Sequence, residues 1–301
     1  MRVRPGLASA LFLVLASACG KRAPNPSERA SASAKPSASR PPQTRAEVEK
    51  IEVSLCRVIA VRPLGDKTKD ASSDASAPAV GTALEGRDWL DLPTKVEIAL
   101  RHSATTRELS LRGPGRFLPC FLGTETVLVA RGGVKTTAGA GARAGAEVIL
   151  ATPFGTLHFA DAALELEVGE RTLGARSTTG VATFVSAAAH ADTGPSEHVL
   201  RPNVEKKLSG KVDAAELVAR CRETASPLGG EPPRVDGAPS ARARLAEWSV
   251  AQLRARQTAR FTCAAARAAA GRQEEAERGR LWTELATADR VWKIPAPSVG
   301  K

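Results

Sequence analysis

The chain has 301 residues, of which 43% are hydrophobic and 25% charged, with 43 Lys and Arg against 32 Asp and Glu for a formal net charge of +11. That apolar content supports a sizeable core, in one large domain or two ordinary ones. With no Tyr, seven Phe and four Trp, the rings needed to stack bases are scarce, so the positive charge is not read as a nucleic-acid interface.

Arg2 and Arg4 precede an apolar run from Leu7 to Ala18. As helix this run spans roughly 18 Å, short of the roughly 30 Å hydrocarbon core of a bilayer, so residues 1–18 read as a secretory signal and not a span. The segment "ASAC", Ala16 to Cys19, resembles the lipobox of bacterial lipoproteins. The resemblance implies that Cys19 is lipidated and becomes the mature N-terminus. Gly20 stands where an aspartate would retain such a protein at the inner membrane, so the implied place is the periplasmic face of the outer membrane, with membrane lipid as partner. The alternative is an ordinary secretory signal in which Cys19 has no special role.

From Gly20 to Arg45 there is no Val, Ile, Leu, Phe or Trp. Residues 19–45 therefore read as a lipidated cysteine and a disordered tether, reaching on the order of 25–30 Å as a flexible coil.

Residues 46–186 read as strands. In "KVEIALR" Val96, Ile98 and Leu100 alternate onto one face, in "ELSLR" Leu109 and Leu111, and in "ALELEV" Leu164, Leu166 and Val168. "TVLVA", "EVILA", "GTLHF" and "VATFV" complete the set, with "RGPGR", "RGG", "TAGAGARAG" and "VGERTLG" as separators. The opening "TRAEVEKIEVSLCRVIAVR" carries a capping-box pattern at Thr44 and Glu47, but its β-branched content favours a strand after at most a turn of helix. Gly65 to Ala79 is polar and reads as a loop. The expected fold of this region is all-β, a sandwich or a solenoid.

Two stretches, "VGTALEGRDWLDLPTKVEIALRHSATTRELSLRGPGRF" and "ILATPFGTLHFADAALELEV", make this region similar to the FecR-type domain. That family opens on G-T-x-L and continues through a strand, a turn, a second strand and a Gly-Pro turn, with a Thr-Pro pair before its later strands. The resemblance implies a periplasmic β-domain that contacts a partner or ligand and has no chemistry of its own. Family members that regulate sigma factors work across a membrane, and here such a role would need a membrane partner.

Residues 187–211 read as a linker, and 212–295 as a helical domain with a Pro/Gly loop at 226–239, before a tail at 296–301. Asp213 and Glu216 form a D-x-x-E cap ahead of "AAELVARCRETA", which places Leu217, Val218 and Cys221 on one face. "SARARLAEWSVAQLRARQTARFTCAAARAAAG" runs without Gly or Pro until Gly271, striping Leu245, Trp248, Ala255, Ala259 and Cys263. A third helix, Gln273 to Trp292, stripes Leu281, Leu285, Ala288 and Trp292. The expected fold class is α+β in two modules, a FecR-like β-domain followed by a small three-helix bundle or helical hairpin.

Apart from Cys19, the cysteines are Cys56, Cys120, Cys221 and Cys263, with no metal-like spacing. In an exported protein they read as two disulfides. Three pairings are open, and Cys56–Cys120 with Cys221–Cys263 is preferred because each pair then falls inside one region.

No catalytic constellation, metal site or cofactor motif is read. The four histidines are scattered, no G-x-S-x-G elbow occurs, and "TAGAGARAG" leads into a strand-like segment with no helix N-terminus for a phosphate. Candidate binding residues are Trp89 as a stacking platform, against a core anchor, and Arg254, Arg256 and Arg260 as a docking stripe for anionic lipid or polymer, against a solvated helix face. The expected function is non-catalytic binding or scaffolding in the envelope, with peptidoglycan or an envelope protein as further partner. A FecR-type regulator is the alternative, and a wall-acting enzyme is disfavoured.

Overall fold

The computed structural model describes residues 56–64, 77–102, 107–137, 147–190, 194–228, 233 and 239–292. The signal 1–18, Cys19, the tether 19–45, the Thr44–Glu47 cap and the tail 296–301 lie outside the described residues, as does most of "TAGAGARAG". Strands and helices belong to a single unit, Ile51–Lys301.

The first strands are β1 (Cys56–Pro63), the short β2 (Ala83–Leu84) and β3 (Leu90–Leu92), β4 (Val96–His102), β5 (Glu108–Leu118) and β6 (Thr126–Thr136). There follow β7 (Val148–Thr152), β8 (Gly155–Phe159), β9 (Ala163–Val168), β10 (Thr172–Thr179), β11 (Ala182–His190), β12 (Gly194–Leu200) and β13 (Glu205–Ser209). Together they form a mixed sheet of 13 strands.

The sheet forks at β6. Its Thr126–Leu128 pair in parallel with Ile149–Ala151 of β7, while its Gly132–Lys135 pair antiparallel with β9. One arm continues as β7–β8–β11–β12 and the other as β9–β10–β13. Leu150, Leu157, Phe184 and Leu200 of the first arm share one apolar core with Leu164, Leu166, Val168 and Leu173 of the second, so the arms face each other across it. In β9 the alternation Leu164, Leu166, Val168 is buried as its period of two requires. All five residues of β7 are buried, because Val148 and Leu150 enter the core while Ile149 and Ala151 meet a helix on the other face.

Two separators prove to be strand interior. "RGPGR" lies within β5 and "RGG" within β6, where the β5–β6 register shifts between Arg112 and Phe117. One glycine of each, Gly115 and Gly132, makes room for the fully buried Phe117 ring. A Cβ on Gly115 would sit 2.4 Å from Phe117 Cε2 and one on Gly132 2.6 Å from Cζ, and Gly132 also holds φ at +104°. "VGERTLG" does hold a turn, at 169–171 between β9 and β10, and its last residues begin β10.

The region expected as a linker, 187–211, carries the end of β11 and the whole of β12 and β13. The expectation of two modules is corrected accordingly: the helices pack on the sheet within the same unit. They are α1 (Ala214–Ala225), α2 (Pro239–Ala270) and α3 (Glu275–Ala286). Asp213 caps α1, accepting from the backbone N–H groups of Ala215 and Glu216 at 2.9 and 3.2 Å. The third helix is shorter than its stripe implied, giving way to a 3-10 turn at Asp289–Trp292.

The run "CAAARAAA" explains how α2 is accommodated. Ala264 and Ala268 meet Leu118, Leu128 and Ala151 of the sheet, while Cys263, Ala266 and Ala269 meet Leu217, Val218, Leu281 and Leu285 of the other helices. A helix enclosed on both sides needs small residues all round, because they let neighbours approach closely. Arg267 interrupts the run yet is buried. Its guanidinium lies 5.0 Å from the Trp282 ring and 5.3 Å from Phe121, donates to Leu285 O at 3.3 Å and pairs with Asp289.

Both preferred disulfides are present. Cys56–Cys120 joins the start of β1 to the chain just beyond β5, with a Cα separation of 5.8 Å, and Cys221–Cys263 joins α1 to α2 at 4.6 Å. Among the described residues no helix is long and apolar enough to cross a membrane.

Candidate functional site

Trp89 is half-buried, and its ring packs on Gly271, where a Cβ would sit 2.3 Å from Cη2. It also meets Trp282 edge-on at 6.0 Å. The ring therefore joins the sheet to the turn between α2 and α3 as a core anchor. Arg254 is exposed and Arg256 half-buried on α2, while the Arg260 guanidinium covers the Trp292 ring at 5.5 Å. None of these four residues lines the cleft that follows.

That cleft, of about 720 Å³, opens where β6, the β9–β10 turn, the segment after β13 and the α2–α3 turn meet. It is lined by Arg116, Arg131, Arg171, Lys211 and Arg272, five cations against the single carboxylate of Glu170, together with Ala130, Val212, Gly271 and Gln273. Two of the cations are engaged. Arg116 donates from Nε and Nη2 to both oxygens of Asp91 at 2.7 Å, a bidentate pair, and from Nη1 to Gly271 O at 3.2 Å. Arg272 donates to three carbonyls, Ala130 O, Gly169 O and Glu170 O, each at 2.7 Å, and lies 5.3 Å from the Phe154 ring. Burial pushes its pKa down to about 10.

The other three, Arg131, Arg171 and Lys211, are exposed, and their side chains form no hydrogen bond or ion pair among the described residues. Asp91 draws on Arg131 through space, but none of the three is paired directly, and low-dielectric walls focus the field of such a cluster. The sequence offered no signal for this gathering. Arg116, Arg131, Arg171, Lys211 and Arg272 come from five places in the chain, among 43 Lys and Arg.

A second polar cluster is buried. Arg107 Nη1 donates to Glu125 Oε2 at 2.9 Å, its Nη2 donates to Ala160 O, and His102 Nδ1 lies 3.6 Å from Glu125 Oε1. Beside the Cys56–Cys120 disulfide this cluster encloses only about 30 Å³, too little for a ligand, and it reads as an internal ion pair. Among the described residues no group of three or more His, Cys, Asp or Glu is placed to hold a metal ion.

These pairs fix an acid response. Burial holds the His102 imidazole below its ordinary 6.5. The hydrogen bonds from Arg116 hold Asp91 below 3.8, and the bond to His158, 3.1 Å from it, holds Glu147 below 4.5. Each group binds fewer protons folded than unfolded, so stability rises with pH. The His102 contribution is complete above 6.5 and is lost as pH falls from there to its lowered pKa. Those of Asp91 and Glu147 are complete above 3.8 and 4.5 and are lost as pH falls further. The urea midpoint therefore falls in two stages on acidification, and Asp91→Asn shrinks the second stage while leaving the first intact. An unchanged second stage in that variant would show that the Asp91–Arg116 pair does not couple to folding.

No known family model matches the chain, and no curated protein matches it.

Proposed function

We propose that the protein is a non-catalytic, lipid-anchored binding protein of a bacterial cell envelope. It hangs in the periplasm from Cys19 at the outer membrane, with a FecR-like β-region as its body and the cationic cleft as its binding surface. The observation that carries this reading is the pair of disulfides, each with buried cysteines. Two such bonds belong to an oxidising compartment, and the apolar leader ending in "ASAC" supplies the route there. The FecR-like assignment rests on the two quoted stretches, residues 80–117 and 149–168, whose alternating apolar positions fall in β4, β5, β7, β8 and β9.

Intact mass and non-reducing peptide mapping of native protein extracted from membranes test the reading. Diacylglycerol and acyl mass on Cys19, with Cys56 linked to Cys120 and Cys221 to Cys263, is the expected result. Recovery from the cytosol with free thiols and an unmodified leader would overturn it.

A further inference from the structure

We propose that the cleft between the β6 fork and the α2–α3 turn is a binding site for a small phosphorylated ligand, a free phosphorylated molecule or a phospholipid headgroup, held by Arg131, Arg171 and Lys211. This deepens the binding role above and rests on it.

The size fits. A cleft of about 720 Å³ lies in the range of small-molecule sites, roughly 300–1,000 Å³, and is concave where a polymer would take a long groove. The charge fits as well. Five cations face one carboxylate, and the Glu170 main chain is itself held by Arg272. Gathering like charges costs energy unless a counter-charge arrives. Asp91 meets this need for Arg116, and carbonyl oxygens meet it for Arg272. For Arg131, Arg171 and Lys211 no hydrogen bond or ion pair meets it among the described residues, and Asp91, already bound by Arg116, acts on Arg131 only through space.

The division of labour is what a binding site requires. Arg272 is held by three carbonyls and lies near the Glu170 carboxylate, while Arg116 is locked by Asp91. Arg131, Arg171 and Lys211 line the cleft exposed and without a direct pair among the described residues, so they can turn to a ligand. Phosphate is the fitting chemistry: it brings about −1.5 to −2 charges and three acceptor oxygens, which the planar forks of Arg131 and Arg171 take bidentately while Lys211 supplies a point charge.

The test uses the full oxidised chain carrying Cys19→Ser, so that no acyl chain enters a membrane and the outcome is independent of anchoring. Inorganic pyrophosphate is titrated by calorimetry, and vesicles of phosphatidylcholine with phosphatidylglycerol are tested by co-sedimentation. The expected result is saturable binding of at least one probe. Pyrophosphate alone identifies a free phosphorylated ligand, and vesicles identify a headgroup. The triple variant Arg131→Gln/Arg171→Gln/Lys211→Gln weakens that binding about tenfold or more, with thermal unfolding unchanged. A control triple, Arg62→Gln/Arg101→Gln/Lys207→Gln, removes the same charge away from the cleft and retains binding. The proposal is overturned if neither probe binds, if the cleft variant binds as the parent does, or if the control loses as much. A negative result here with a lipidated Cys19 in the mass experiment would remove the ligand and leave the anchored protein standing.

Discussion

Replacing both Cys221 and Cys263 by alanine is expected to lower stability by about 4 kcal/mol, the chain-entropy value for a closed loop of about this length. The bond spans a sequence separation of 42 residues, and both cysteines are fully buried where α1 crosses α2. The loss falls where little else compensates. α1 is anchored mainly by Leu217 and Val218 and by the small α2 residues they touch, and small side chains bury little apolar area each. Two alanines facing each other across this crossing leave only a small void, so the cost comes chiefly from the freed unfolded chain. Urea unfolding of the oxidised parent against the double variant measures it, with the Cys56→Ala/Cys120→Ala variant as a comparison whose loop is longer, 64 residues. A drop below about 1 kcal/mol would mean that the two helices are held by packing alone.

Much of the fold was legible because its signals are local. The alternation in "KVEIALR" and "ALELEV" needs only a two-residue period, and the Asp213 cap needs only the three residues after it. What failed was the meaning of glycine. "RGPGR" and "RGG" look like turns, and Gly115 and Gly132 instead make room for the Phe117 ring, Gly132 from the neighbouring strand, a contact no local pattern encodes. β13, "EKKLS", alternates, but it is too short and polar to stand out from a linker until β10 is beside it. The cleft was illegible for the same reason. Its arginines are ordinary surface residues until the fork of β6 and the α2–α3 turn bring them to one mouth, while the residues that stood out, Trp89 and Arg260, are engaged with other rings.

Arg272→Met is expected to destabilise the fold by about 2–4 kcal/mol, and the reason lies in the fork itself. β7 leaves β6 after Leu128 and β9 joins it at Gly132, so Ala130 falls in the gap between the two pairings. Its carbonyl takes a hydrogen bond from Arg272 Nε, while Nη1 and Nη2 of the same side chain hold the Glu170 and Gly169 carbonyls of the turn after β9. One guanidinium thus closes the fork from the α2–α3 turn. Two effects compete when it is removed. Relief of desolvation favours methionine, since burial has already pushed the arginine's pKa down to about 10. Against that, hydrogen bonds from a charged donor contribute about 1.5–3 kcal/mol each, and the partly buried Ala130 and Gly169 carbonyls would be left unpaired at about 1–3 kcal/mol apiece. The exposed Glu170 carbonyl is re-solvated and adds little. The bonds outweigh the relief, and methionine also gives up the contact of the guanidinium with the Phe154 ring. Arg272→Lys separates charge from shape: an ammonium keeps the charge without the planar fork, so it should recover less than half of the loss. Urea midpoints of the two variants decide the matter, and a methionine variant as stable as the parent would show that desolvation, not the closing of the fork, governs this position.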